Sequence, residues 1–115
     1  MKESALKFKS YSFSIRVVRL CQYLQKEKKE YLLSKQVLKS GTSIGALIRE
    51  AEFGQSKADF VSKLSIALKE ANETAYWLSL LKDTDYIKND EFISLKTDCD
   101  ELIKILVASI KTAKK

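Results

Sequence analysis

The stretch that decides the fold is Ser40–Ala51, which reads SGTSIGALIREA. Its apolar residues recur at the spacing of an amphipathic helix, and two glycines, Gly41 and Gly45, stand four residues apart within it. An interior glycine costs a helix about 1 kcal/mol relative to alanine, so both positions need a compensating contact. Residues at i and i+4 share one side of a helix, where missing side chains let another backbone come close. The stretch therefore predicts a helix packed tightly against a second one.

The composition of the whole chain favours long helices joined by short turns. The 115 residues include no proline and three glycines, with 45% hydrophobic and 31% charged residues, whereas a sheet protein needs more turn residues. Periodicity predicts one domain, residues 1–115, folded as an all-α, antiparallel up-down-up-down four-helix bundle. The helices are expected at about 4–28, 34–53, 56–82 and 89–111, with Ser4, Ser34, Ser56 and Asn89 as N-caps and Asp59 completing a capping box.

The first predicted helix has two apolar stripes, although a surface helix of a monomeric bundle needs only one. One stripe contains Phe8, Tyr11, Ile15 and Val18. The second, nearly opposite, contains Leu6, Phe13, Val17, Leu20 and Leu24. Because exposed apolar patches mark interfaces, we predict a homo-oligomer in which one stripe packs the chain's own core and the other packs a neighbouring subunit. We assign the second stripe, with Gly41 and Gly45, to the subunit interface, while the periodicity leaves open which stripe faces the neighbour and whether the glycines meet helix 1, helix 3 or another subunit. Burial of the whole helix by its own chain is the alternative.

Positive charge is concentrated near the N-terminus. The chain has a net charge of +6, and residues 1–28 carry seven Lys and Arg against two Glu. Such a field favours nucleic acid, acidic protein surfaces or anionic lipid, and a solvated basic surface is the alternative. Phosphate binding needs cations spaced along a surface. The candidates for this role are Lys7, Lys9, Arg16, Arg19, Lys39 and Arg49.

The residue types argue against an enzyme and against a bound metal or cofactor. There is no histidine, so the usual general base at neutral pH is absent. No cysteine pair has zinc-site spacing, and no glycine-rich phosphate loop occurs. Glu70 and Glu73 share one side of a helix but lack further ligands, and Glu50 has no assigned role. Tyr76 and Trp77 are candidates for stacking on bases, although the helical spacing favours a core position for Trp77.

The sequence also bears on the compartment. No apolar run approaches the roughly 18 residues of a membrane span, and residues 1–4 do not begin a signal peptide. Cys21 and Cys99 are expected to be reduced, partly buried thiols. We therefore expect a cytoplasmic protein without a membrane partner.

Two segments together resemble the family of 23S rRNA intervening-sequence proteins. They are residues 36–50, QVLKSGTSIGALIRE, and residues 59–81, DFVSKLSIALKEANETAYWLSLL. The resemblance implies a four-helix bundle assembled as a ring-like homopentamer, with binding of structured RNA or DNA and no established enzymatic activity. The family commonly has Asn where this chain has Leu47. A related branch, the accessory variability protein of diversity-generating retroelements, works beside a reverse transcriptase.

Two functions follow from these observations. The first is a non-enzymatic, oligomeric protein that binds structured RNA or DNA through backbone phosphates, since no base-reading element is visible. The second is a protein–protein adaptor that docks an acidic or nucleic-acid-bound partner, such as a reverse transcriptase. We favour the first.

Overall fold

The computed structural model describes residues 2–115, with side chains from Ala5 onward. The described residues form four helices: α1 (Lys2–Glu27), α2 (Leu33–Glu52), α3 (Lys57–Asp83) and α4 (Asn89–Ala113). Each helix packs against its two neighbours, α1 on α2, α2 on α3, α3 on α4 and α4 on α1. The short turns make successive helices antiparallel, and the result is the predicted four-helix bundle, which measures 45 × 21 × 19 Å. Among the described residues, no helix combines the length and the apolar character that crossing a bilayer requires.

The start of α3 follows the capping prediction, and the start of α2 does not. The Ser56 hydroxyl accepts a hydrogen bond from the Asp59 N–H at 3.0 Å. Ser34, the predicted cap of α2, is instead buried inside the first turn of that helix. The cap is the buried carboxylate of Glu30, which accepts hydrogen bonds from the backbone N–H groups of residues 32–34 at 2.7–3.1 Å. A carboxylate there satisfies three otherwise unpaired N–H groups and complements the helix dipole.

The other two capping predictions have different outcomes. α4 begins at Asn89 itself, and Lys88, at the N-cap position, makes no capping hydrogen bond with its side chain. The Ser4 prediction falls on a side chain that lies outside the described ones, within an α1 that starts at Lys2. α1 ends at Glu27, and two residues later Lys29 adopts the left-handed region, with φ 54°, at a position that glycine often takes after a helix.

The core takes in the second apolar stripe of α1. Its members Leu6, Phe13, Val17, Leu20 and Leu24 are at most 5% exposed and belong to the chain's own hydrophobic core. Their assignment to a subunit interface is therefore corrected, because a bundle can enclose only one stripe of each helix and this is the one it encloses. The first stripe faces outward: Phe8, Tyr11, Ile15 and Val18 are 74%, 60%, 46% and 38% exposed.

The two glycines of α2 face α1 of the same chain. A Cβ atom added at Gly41 would lie 2.8 Å from both methyl groups of Val17. One added at Gly45 would lie 3.2 Å from the Ser14 hydroxyl and 3.4 Å from the Ser10 carbonyl oxygen. The close helix approach is therefore as expected, but its partner is α1 and not a neighbouring subunit, which corrects the placement of both glycines at an interface.

Cys21 and Cys99 are buried free thiols. The Cys99 Sγ donates a hydrogen bond to the Ala71 carbonyl at 3.3 Å, across the contact between α4 and α3. Burial raises the pKa of the Cys99 thiol to about 12. Since the thiolate is the reactive form of cysteine, Cys99 is a packing residue of the core.

Candidate nucleic-acid interface

The outer face of α1, defined as Phe8, Tyr11, Ile15 and Val18, is an exposed apolar ridge. A groove of about 280 Å³ separates it from α2 and is lined by residues that include Tyr11, Gly45 and Ala46. A second groove, of about 390 Å³, separates it from α4 and is lined by residues that include Ile15 and Tyr23. A ridge between two grooves is the surface shape that helix packing uses. The outer face of α1 is therefore suited to receive another helix pair.

Two of the predicted phosphate-binding lysines form ion pairs within the chain. The Lys7 Nζ lies 3.0 Å from the Glu52 Oε2, which joins α1 to the end of α2. The Lys9 Nζ lies 3.3 Å from the Glu101 Oε1, which joins α1 to α4. All four side chains are between 43% and 52% exposed, so each pair contributes at most about 1 kcal/mol. A phosphate can displace such a carboxylate, and the contribution of the ion pair is then lost.

Arg16 is held more firmly than the two lysines. Its Nη1 lies 2.6 Å from the Asp98 Oδ2, and its Nη2 donates a hydrogen bond to the Ser94 hydroxyl at 2.9 Å. Nη1 also lies 3.3 Å from the Ser94 carbonyl oxygen. The guanidinium is therefore committed to α4, and it fixes α1 against that helix.

The other three predicted cations are exposed and form no ion pair with a residue that the structure describes. Arg19 lines the groove between α1 and α4, and Arg49 lines the groove between α1 and α2. The two arginines thus stand on opposite sides of the outer face of α1. Lys39 lies on α2, nearer the start of that helix. The structure therefore divides the six predicted cations among several surfaces and does not gather them in one cluster.

A further basic surface lies at the α1–α2 turn, residues 28–32, which the sequence analysis did not single out. Tyr31 is 49% exposed and Leu32 is 77% exposed. Four exposed lysines accompany them: Lys26, Lys28, Lys29 and Lys35. None of the four is ion-paired within the part of the chain that the structure describes. The sequence feature that indicates this surface is an aromatic residue among lysines, a composition typical of surfaces that bind single-stranded nucleic acid.

The sequence profile of the 23S rRNA-intervening sequence protein family matches residues 2–108. The chain belongs to this family. A crystal structure from Bacteroides thetaiotaomicron, of a protein with unknown function from the S23 ribosomal protein family, is 54% identical and has a TM-score of 0.96. The match covers 96% of this chain and 99% of that one. No curated protein matches the chain.

Membership of the 23S rRNA-intervening sequence protein family confirms the resemblance, and neither the family's description nor the solved relative names an enzymatic activity. Leu47, which stands where the family commonly has Asn, is half-buried and packs against the hydrophobic core. An apolar contact therefore occupies this position of α2.

The acidic candidates of this family member serve local contacts. The Glu50 Oε1 lies 3.8 Å from the Lys63 Nζ. Glu73 accepts a hydrogen bond from the Trp77 ring N–H at 3.2 Å. Glu70 contributes its backbone carbonyl, which lies 2.8 Å from the Thr74 hydroxyl. Within the described part of the chain, no three His, Cys, Asp or Glu side chains are grouped so as to hold a metal ion.

The aromatic pair of α3 divides between core and surface. Trp77 is half-buried and packs against the hydrophobic core, in agreement with its helical spacing. Tyr76 is 60% exposed and meets the Trp77 ring edge-on, with the ring centroids 5.0 Å apart. Of the two, only Tyr76 offers a ring face to solvent.

Proposed function

We propose that this protein is a non-enzymatic homo-oligomer that binds structured RNA or DNA through backbone phosphates. The observation that carries the proposal is the outer face of α1, an apolar ridge between two grooves on a chain of net charge +6. Apolar contact brings copies of the chain together, and assembly multiplies the positive field that attracts a polyanion.

The assembly step follows from the apolar ridge. A large apolar side chain gains about 1.5–3 kcal/mol when it is buried, and the outer face of α1 exposes four of them. If the ridge of one subunit enters a groove of the next, the contact is heterologous, and a heterologous contact forms a ring when the rotation between successive subunits closes. The homopentamer that the family resemblance implies is an assembly of this type.

The binding step follows from the charge. Arg19, Lys39 and Arg49 are available to phosphates, and Lys7 and Lys9 become available when their exposed carboxylate partners are displaced. Each neutralised phosphate releases counterions, so affinity falls steeply as salt rises. Binding of this kind follows the shape and backbone of the nucleic acid.

The experiment combines light-scattering mass with titration of a fluorescent RNA stem-loop and a matched DNA duplex, at about 50 and about 200 mM salt. The proposal requires a mass above that of the 13.1 kDa chain and an affinity that drops at least tenfold between the two salt concentrations. A monomer would refute the assembly step. An oligomer that binds neither probe would refute the binding step and favour the adaptor, whose partner is a protein such as a reverse transcriptase.

A further inference from the structure

We infer that the α1–α2 turn binds unpaired nucleotides, with a base stacked on the Tyr31 ring and the flanking phosphates held by the lysines around it. This inference rests on the proposed function and narrows its target to nucleic acid that contains a single-stranded segment. It also assigns base contact to a surface separate from the outer face of α1, which serves self-association.

The backbone on both sides of Tyr31 is held by hydrogen bonds. The Glu30 N–H donates to the Leu24 carbonyl at 3.0 Å, which closes the end of α1. The Glu30 carboxylate accepts from the N–H groups of Leu32 and Leu33 at 3.1 and 3.0 Å, which anchors the start of α2. Tyr31, which is 49% exposed, is therefore carried by a fixed backbone. A ring presented in this way loses little conformational entropy when a base stacks on it.

The charge around the ring is positive. Residues 26–35 contain four lysines and two glutamates, and the Glu30 carboxylate is turned inward, onto the start of α2. The Lys28 Nζ lies 6.0 Å from the centroid of the Tyr23 ring, so a second half-exposed aromatic ring adjoins the same lysines. Cations beside ring faces are what single-stranded nucleic acid requires, since it offers phosphates and free base faces together.

Lys29 adds a further cation beside Tyr31. It lies two residues past the end of α1 and adopts φ 54°, the left-handed conformation in which helices commonly end. Asp85 has φ 67° at the same position after α3, so the conformation belongs to the helix end, and what Lys29 contributes to this surface is its charge.

Alternative ligands fit this surface less well. An acidic protein surface satisfies the lysines but offers no flat partner for the exposed ring. A duplex keeps its bases stacked inside and presents only phosphates. The surface of α1 is a weaker candidate for base contact, because Lys7, Lys9 and Arg16 are paired with carboxylates there.

The test measures binding of the full-length protein to two fluorescent hairpins by anisotropy. One hairpin has a blunt end and the other carries a single-stranded overhang, with the total number of phosphates kept equal. Each is made as RNA and as DNA, which separates the two sources of unpaired nucleotides. The aromatic variants are Tyr31→Ala and Tyr31→Phe, with Phe53→Ala as the matched control, because Phe53 is an exposed aromatic residue after α2, at the opposite end of the bundle from the α1–α2 turn.

We expect the wild-type protein to prefer the overhang probe, and Tyr31→Ala to weaken that binding by about 5-fold to 100-fold. Tyr31→Phe keeps the ring and is expected to bind within about twofold of wild type. Phe53→Ala is expected to leave the preference unchanged.

A second set of variants tests the contribution of the lysines to binding. The double variant Lys28→Gln/Lys29→Gln is compared with Lys114→Gln/Lys115→Gln, a matched control at the opposite end of the bundle. Each single-strand phosphate contact contributes about 0.7 to the slope of log K against log salt. The turn variant should lower that slope by about 1.4 for the overhang probe, and the control should lower it less.

Three outcomes would overturn the inference. If Tyr31→Ala binds the overhang probe as wild type does, the bases stack elsewhere and only the proposed function survives. If Tyr31→Ala lowers the light-scattering mass, the turn is a subunit contact. If wild type binds neither probe at low salt, the proposed function fails together with the inference.

Discussion

Replacing Gly41 by alanine puts a methyl group into the contact between α1 and α2. The new carbon would lie 2.8 Å from the Cγ1 and Cγ2 atoms of Val17 and 3.2 Å from its Cβ, whereas carbon atoms prefer about 3.5–4.0 Å. Val17 is fully buried and, as a β-branched residue, is stiff at χ1. Rotation cannot move both of its methyl groups away, so the two helices have to separate.

The expected magnitude is the difference between two effects. Overpacking a core costs about 1–3 kcal/mol, and alanine recovers about 1 kcal/mol of helix propensity relative to glycine. We therefore expect Gly41→Ala to lower the free energy of unfolding by about 1 kcal/mol, and by about 2 kcal/mol at most.

Gly45 provides the matched control within the same helix. A Cβ atom there would lie 3.2 Å from the Ser14 hydroxyl oxygen and 3.4 Å from the Ser10 carbonyl oxygen. The Ser14 hydroxyl, which donates a hydrogen bond to the Ser10 carbonyl at 3.0 Å, has to give by only a few tenths of an ångström, and the second distance is an ordinary contact. Gly45→Ala should therefore raise the free energy of unfolding by about 0.4–1 kcal/mol, so the same substitution four residues apart has opposite signs.

The assay is urea unfolding followed by circular dichroism and by Trp77 fluorescence. Protomer concentration is held constant, because self-association makes apparent stability depend on it. Adding Val17→Ala to Gly41→Ala should recover part of the loss in a double-mutant cycle. The reasoning is refuted if Gly41→Ala stabilises the protein as Gly45→Ala does, or if Val17→Ala and Gly41→Ala are simply additive.

Three further predictions concern the surface, a cap and the core. Ile15→Glu should lower the light-scattering mass without loss of helicity. The control Ile66→Glu changes a similarly exposed isoleucine on α3 and should leave the mass unchanged. Equal effects of the two substitutions would exclude the outer face of α1 as the interface. Glu30→Ala should cost about 1–2 kcal/mol in urea unfolding because it frees three N–H groups of α2, and an unchanged midpoint would contradict the capping role. The pKa of Cys99 is raised from 9.0 to about 12, so the unfolded chain releases this proton first. Stability should fall above pH 9, by up to about 1.4 kcal/mol per pH unit, and alkaline titration of Cys99→Ala should lack this part of the loss.

The helices could be predicted because their signals are local. Apolar periodicity and turn residues placed all four within two residues of their observed bounds, and the capping box at Ser56 and Asp59 was correct. Ser34 was wrong as a cap because α2 begins one residue earlier, at Leu33, and the carboxylate of Glu30 accepts from the N–H groups of residues 32–34. Glu30 belongs to a turn that has no helical period, so nothing in the periodicity indicates that its side chain folds back onto α2.

The prediction assigned the second stripe of α1 to the interface, whereas the bundle encloses it, and the reason for this error is a different one. Periodicity shows that both stripes are apolar but does not show which one meets the other helices. The available signal was the length of each stripe. The second stripe continues to Leu24, near the end of α1, whereas the first gives way to polar residues after Val18, beginning with Gln22. A core spans the whole length of a bundle, so the longer stripe is the one that the bundle encloses.

The candidate binding surface was least predictable because the availability of a cation depends on its partners in space. Lys9 and Arg16 belong to the N-terminal segment in which positive charge is concentrated. Carboxylates of α4 nevertheless lie 3.3 Å from the Lys9 Nζ and 2.6 Å from the Arg16 Nη1. These partners are remote in sequence, and no local pattern indicates them. Among the described residues, the lysines of the α1–α2 turn have no such partner, and the nearby carboxylate of Glu30 is engaged by backbone N–H groups of α2. A phosphate has to displace a carboxylate at Lys9 but only water at Lys28, so the turn is the more favourable place for a nucleic-acid strand even though the N-terminal part of α1 carries the greater formal charge.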